Sequence, residues 1–174
     1  MEYAGNKNLK SFIKDKGNEL IAPKTLNYII KQICLGLKEI HDSNIIHRDI
    51  SPDNIFIDEK TLKIKIGDFG ISTASQYSYS PIGKYKYMAP EMQTEDENEL
   101  IKIKYNKKVD IYALGCTIYE LINFRNYFVD KMCNKIQKVN LEFYDKKRQK
   151  LINSMLAIEY HERPSIDDIL NKLD

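Results

Sequence analysis

The stretch IIHRDISPDNIF, residues 45–56, sets a histidine, an arginine, two aspartates and an asparagine close together between apolar flanks. Apolar residues on both sides tether such a loop to a core. Asp49 and Asn54 then present a carboxylate and an amide from one short segment, with Ser51 between them. Isolated aspartates are usually turn or cap residues. A chemical role for this pair therefore depends on what else the chain brings to the loop.

Upstream, Leu26, Ile29, Ile30, Ile33, Leu37 and Ile40 recur at helical spacing, and Pro23 suits the first turn of that helix. The helix delivers the chain to residue 45. Downstream, NIFID (54–58) and LKIKIGDF (62–69) flank the turn DEKT, which is a hairpin pattern. With the turn near residues 59–60, antiparallel pairing sets Asn54 opposite residues 66–67, beside Asp68. Asp49, Asn54 and Asp68 thus meet at the hairpin mouth. Three acid or amide oxygens there suit a hard divalent cation such as magnesium.

Farther out, residues 8–14 read as a short helix, 71–88 as an exposed loop and 93–108 as a solvated connection. VDIYALGCTIYELI (109–122) is apolar on nearly every side, the mark of a central buried helix. Residues 127–138 and 146–158 read as further helices. A last helix carries Ile166, Ile169, Leu170 and Leu173 on one face, with Ser165 as its cap. The expected fold is one domain, mainly α with a small β-hairpin.

Composition excludes several classes. The chain has 174 residues, 43% hydrophobic and 30% charged, with a net charge of +2. That balance gives no case for nucleic acid or a membrane surface as partner. The clusters Lys107-Lys108 and Lys146-Lys147-Arg148 read as solvated faces. Three widely spaced cysteines, Cys34, Cys116 and Cys133, read as reduced thiols without metal-ligand spacing. No signal-peptide pattern and no membrane-spanning apolar run is present. The expectation is a soluble, cytoplasmic or nuclear protein.

HRDISPDN (47–54), DFG (68–70), YMAPE (87–91), DIYALG (110–115) and RPS (163–165) stand in the order and rough spacing of one family. Over essentially its whole length the chain resembles the C-terminal lobe of eukaryotic protein kinases. The resemblance divides it into a hinge remnant (1–7), a catalytic loop (45–56), an activation segment (68–91) and the central helix (109–122). It implies ATP and magnesium as cofactors and a protein substrate. Asp49 resembles the carboxylate that takes the substrate hydroxyl's hydrogen bond, and Asn54 and Asp68 resemble the magnesium ligands. Glu2 to Ala4 would present backbone to adenine, Met1 would sit at the gatekeeper position, and Phe56 would lie under the adenine ring. His47 and Phe69 resemble a stacked pair, and Gly70 would let the chain turn beside the phosphates. Asp110 would receive backbone N–H groups from the loop. Glu91 and Arg163 resemble a buried ion pair. Arg48 implies activation by an upstream kinase at Ser80, with Ser78, Tyr77 and Tyr79 as competitors.

Three departures from the family pattern stand out. Serine/threonine kinases carry lysine where this chain has Ser51, and threonine where it has Lys84. The two changes are either a linked exchange that returns a cation to the phosphate, or independent drift. The glycine loop, strand lysine and partner glutamate of the N-terminal β-rich lobe are absent from the 174 residues. The resemblance therefore implies a serine/threonine kinase lobe, similar in phrasing to the NIMA-related and translation-initiation-factor kinase groups. It would be inactive alone, would need an N-lobe-containing segment, and would expose an apolar patch at Met1, Phe56, Ile66 and Phe69. The alternative is a pseudokinase-like, non-catalytic interaction module.

Overall fold

Around the 45–56 loop the chain builds one helical core with a small sheet. The computed structural model describes residues 7–16, 21–75, 77–78, 83–93, 103–123 and 146–173. Helix α1 (Leu9–Lys16) buries Leu9, Phe12 and Ile13. Its start is capped by the Asn8 side chain, which accepts the Ser11 amide at 2.9 Å. Helix α2 (Pro23–Asp42) opens on Pro23, where a missing N–H costs nothing. It buries Leu26, Ile29, Ile30, Ile33, Leu37 and Ile40, the periodic set read from the sequence.

The hairpin forms as expected: β2 (Ile55–Ile57) runs antiparallel to β3 (Ile64–Ile66), with Ile55 opposite Ile66. At its turn the Asp58 carboxylate accepts the amides of Thr61 (3.2 Å) and Lys60 (2.9 Å), which hold its pKa below the usual carboxylate value. A third strand, β1 (Lys7–Asn8), pairs with β2, so the hairpin is part of a three-stranded sheet. Two residues of strand carry no periodicity, which is why the sequence does not announce it.

The segments read as loop and connection are more structured than expected. β4 (Tyr77–Ser78) pairs with β5 (Ile103–Lys104), Tyr77 opposite Lys104. Short 3₁₀ turns at Tyr85–Tyr87 and Pro90–Met92 bury Tyr87, Met88 and Met92, so the end of the 71–88 stretch is interior, not exposed. The Tyr87 hydroxyl donates to Glu120 at 2.7 Å, and Lys86 reaches the same oxygen at 2.7 Å. Burial and that carboxylate push the Tyr87 pKa up. These contacts need α3 (Lys108–Asn123) beside the segment, and no local pattern encodes that.

Helix α3 is buried on nearly every side, from Val109 and Ile111 to Leu121 and Ile122. Gly115 lets the end of α4 (Lys146–Met155) come close: a Cβ there would stand 2.9 Å from Leu156 Cδ2 and 3.0 Å from Met155 Cβ. Cys34 and Cys116 are free and buried, and burial pushes both thiols up, Cys34 to about 12. Helix α5 (Ile166–Leu173) packs on α2. Its cap is reciprocal: Ser165 Oγ accepts the Asp168 amide (3.1 Å) while Asp168 accepts the Ser165 amide (2.9 Å). The helix expected over 127–138, and Met1, Glu2, Ala4, Tyr79 and Ser80, lie outside the described residues.

Two buried charges pin the loops to this core. Asp110, with no exposed surface, accepts the backbone amides of Arg48 (Oδ1, 2.8 Å) and His47 (Oδ2, 2.9 Å), and His41 Nε2 at 2.9 Å. Arg163, equally buried, meets Glu91 through two bonds of 2.7 Å each. It also donates to the carbonyls of Ala157 (2.8 Å), Ile158 (2.9 Å) and Lys108 (3.1 Å). Every polar hydrogen bond such a desolvated charge needs is thereby made.

D110N tests the first pin. Either orientation of the new amide points an NH2 at a backbone N–H, so urea unfolding should show a loss of about 3 kcal/mol; an unchanged midpoint would contradict the arrangement. G115A tests the helix contact. Alanine ordinarily gains about 1 kcal/mol over glycine in a helix, whereas overpacking costs about 1–3 kcal/mol. The close approach to Leu156 and Met155 decides for overpacking, so the variant should melt at lower temperature than the parent.

Candidate active site

The 45–56 loop leaves α2 and is tied at its start by reciprocal bonds between Ile46 and Thr73 (2.8 and 3.0 Å). His47 is buried beneath it, its Nδ1 accepting the Asp49 amide (3.3 Å) and its Nε2 meeting the Gly67 carbonyl at 3.1 Å. With Nδ1 as acceptor, the proton belongs on Nε2, where the carbonyl takes it. Phe69 does not stack flat on His47: the rings are 5.0 Å apart and tilted by 60°. Arg48 takes a left-handed backbone, φ 67°, which turns the loop just after its two amide bonds to Asp110.

That turn brings Asp49 and Asn54 together. Asn54 Nδ2 donates to the Asp49 carboxylate Oδ2 (2.7 Å) and to its carbonyl (2.8 Å). Asp49 Oδ1 is buried without a hydrogen-bond partner among the described residues. The Gly67 amide donates to the Asn54 carbonyl at 2.9 Å, so hairpin register brings Asp68 to the same mouth. Asp68, not Gly70, is the left-handed residue here, with φ 63°. Its Oδ1 accepts the Gly70 amide at 3.3 Å, a local bond that suits an aspartate in this region. The left-handed step thus falls two residues before Gly70, at a side chain that can bond the backbone just ahead of it.

The activation segment closes on the loop from the other side. Gly83 has φ 105°, and a Cβ there would lie 2.5 Å from the Arg48 carbonyl oxygen. Only glycine fits this position. Lys84 follows, its Nζ 2.9 Å from Ser51 Oγ, 3.5 Å from Asp49 Oδ2 and 3.7 Å from Asp53 Oδ2. The structure thus brings together the two positions that depart from the family pattern. Asp53 also pairs with Lys10 at 3.1 Å.

Tyr105 is a site neighbour that sequence reading missed. Arg48 donates through Nε to the Ile71 carbonyl (2.5 Å) and through its terminal nitrogen to the Tyr105 hydroxyl (2.7 Å), which in turn donates to the Tyr77 carbonyl (3.4 Å). Nothing at residue 105 signals this, because β5 alone brings it there. Of the expected apolar patch, Phe56 and Ile66 are partly buried and Phe69 is 48% exposed. Phe56 lies over Gly67, whose Cβ would be 2.9 Å from the ring. Ile66 and Phe69 border a groove of about 450 Å³ between α2 and β3. Among the described residues no helix is long and apolar enough to cross a membrane.

Residues 1–173 match the protein kinase domain family. The serine/threonine-protein kinase Nek8 of Danio rerio is 32% identical over 98% of this chain, which covers 25% of that protein. Nek5 of Homo sapiens is 31% identical over 99% of the chain and 25% of its own length. The interferon-induced, double-stranded RNA-activated protein kinase of Rattus norvegicus is 32% identical over 99% of the chain and 34% of its own length. The chain spans about a quarter to a third of these relatives. With its loop pinned on Asp110, its Glu91–Arg163 pair and this match, the chain belongs to the protein kinase family.

Proposed function

We propose that this chain carries the hydroxyl-activating and metal-binding half of a protein kinase, which transfers the γ-phosphoryl group of ATP to protein serine or threonine hydroxyls. One observation carries the reading. Asp49 has one carboxylate oxygen fixed by Asn54 at 2.7 Å and the other buried without a partner among the described residues. A buried, unpaired carboxylate oxygen is costly unless something donates to it. A substrate hydroxyl is the donor that fits. Its O–H bonds Asp49 Oδ1, its oxygen attacks the γ-phosphorus, the bond to ADP breaks, and the proton passes toward Asp49.

The residues present also fit magnesium. Asn54 spends its nitrogen on Asp49, which leaves the amide oxygen, and Asp68 adds a carboxylate at the same mouth. Among the described residues no three His, Cys, Asp or Glu side chains form a metal cage. A two-ligand site of this kind suits an ion that keeps waters and phosphate oxygens as its other ligands. Magnesium, when bound there, supplies charge neutralisation to the phosphates. Phe56, with the Glu2 to Ala4 backbone, is the proposed adenine contact. Reduced, buried Cys34 and Cys116 support a cytoplasmic or nuclear site of action.

The 174 residues hold no G-x-G-x-x-G loop and no strand lysine of the kinase kind. Catalysis by positioning and charge neutralisation needs those groups over the phosphates. We therefore read the chain by itself as inactive in transfer, with an N-lobe-containing segment as the partner that completes it. Phosphorylation by an upstream kinase at Ser80 is the proposed control, because Arg48 can pair with a phosphate. A second reading, a non-catalytic interaction module, is favoured by one feature: Asp49 and Asp68 already find partners in Asn54, Lys84 and Gly70.

Calorimetry with ATP separates the two readings. The chain should bind ATP only with magnesium present, and D68A should abolish the magnesium dependence while leaving the thermal transition in place. Binding that ignores magnesium, or no binding at all, would favour the module.

A further inference from the structure

The proposed phosphoryl transfer leaves Lys84 without a step of its own, yet its ammonium stands 3.5 Å from the Asp49 carboxylate. Its backbone is held firmly. Gly83, immediately before it, packs on the Arg48 carbonyl in a conformation only glycine accepts, and the Lys84 carbonyl receives the Tyr87 amide at 2.9 Å. Tyr87 is in turn buried and bonded to Glu120. The side chain therefore leaves from a fixed base, and 39% of its surface is exposed.

The surroundings explain where the ammonium goes. Ser51 is fully buried and small, and its hydroxyl accepts from Lys84 Nζ at 2.9 Å. Asp49 Oδ2 lies at 3.5 Å and Asp53 Oδ2 at 3.7 Å, the latter already accepting from Lys10 at 3.3 Å. An ammonium has three protons. Ser51 takes one and Asp49 draws a second. The third has only the more distant, already paired Asp53, so a phosphate oxygen arriving beside Asp49 can compete for it.

Electrostatics points the same way. A hydroxyl-activating carboxylate repels the highly charged γ-phosphate that must approach it. Lys84 offsets that repulsion at the point of transfer, where a preorganised cation is worth most. Resting on the kinase reading, we infer that Lys84, seated on Ser51, is the γ-phosphate-binding cation of this site, delivered by the activation segment and not by the loop that carries Asp49. The small residue at 51 makes room for the ammonium that residue 84 supplies.

The test compares magnesium-ATP with magnesium-ADP on the 174-residue chain by calorimetry, since the two differ only by the phosphate Lys84 would hold. The parent should prefer ATP by about tenfold, the worth of one charge-assisted hydrogen bond. K84M should bring the ratio to about one while ADP affinity stays within about twofold of the parent. Lys84 is partly exposed, and an unchanged melting temperature confirms that the variant folds. An unchanged ratio in K84M overturns the inference and leaves the kinase reading standing. A parallel fall in ATP and ADP affinity also overturns it, by showing a merely structural role. If the parent binds neither nucleotide, the kinase reading itself fails.

Discussion

The carboxylate of Asp110 is the constraint from which the site follows. It sits in the first turn of the central helix, shielded from water, and both its oxygens are spent on the amides of His47 and Arg48 and on His41. Backbone donors cannot be supplied by another side chain, so the loop has one place to be. Arg48 must then take a left-handed conformation, and the next residue, Asp49, is aimed back toward Asn54. A loop that polar would otherwise sample many states, an ensemble entropically favoured over a single catalytic pose.

A second buried charge does the same for the activation segment. Arg163 gathers Glu91 and three carbonyls from two chain regions, and its guanidinium lies 5.0 Å from the Tyr112 ring. With Glu91 anchored, the preceding residues Tyr87 and Met88 sink against α3, and Gly83 is drawn onto Arg48. The two pins meet on one helix, α3, which explains why so apolar an element carries Asp110 and Glu120 in its interior. Asp110 is tolerated there because both its oxygens are bonded, and Glu120 because Tyr87 and Lys86 donate to it.

Much of this is legible in the residues themselves. The period of α2, the alternation of the hairpin and the apolar girth of α3 each report local burial, and burial is written in residue type. Hairpin register followed from the turn, because two-residue alternation leaves little choice once the turn is located. The partners of Asp110, Glu91 and Arg163 were legible only through resemblance to a family, since nothing local marks them. The left-handed backbone of Asp68 has no local signal either; its side chain supports it by accepting the Gly70 amide.

By itself the sequence determined helices α1 to α5, the hairpin, the order of the kinase motifs and the two odd residues, Ser51 and Lys84. Those are properties of residue type and spacing along the chain. Only the tertiary structure decided that Lys84 reaches Ser51 and Asp49, that Tyr105 holds Arg48, and that Tyr87 and Met88, at the end of the supposed loop, are interior. Each of these joins segments tens of residues apart. Such contacts are set by how elements pack on α3, and packing is a property of the assembled core, not of any local stretch.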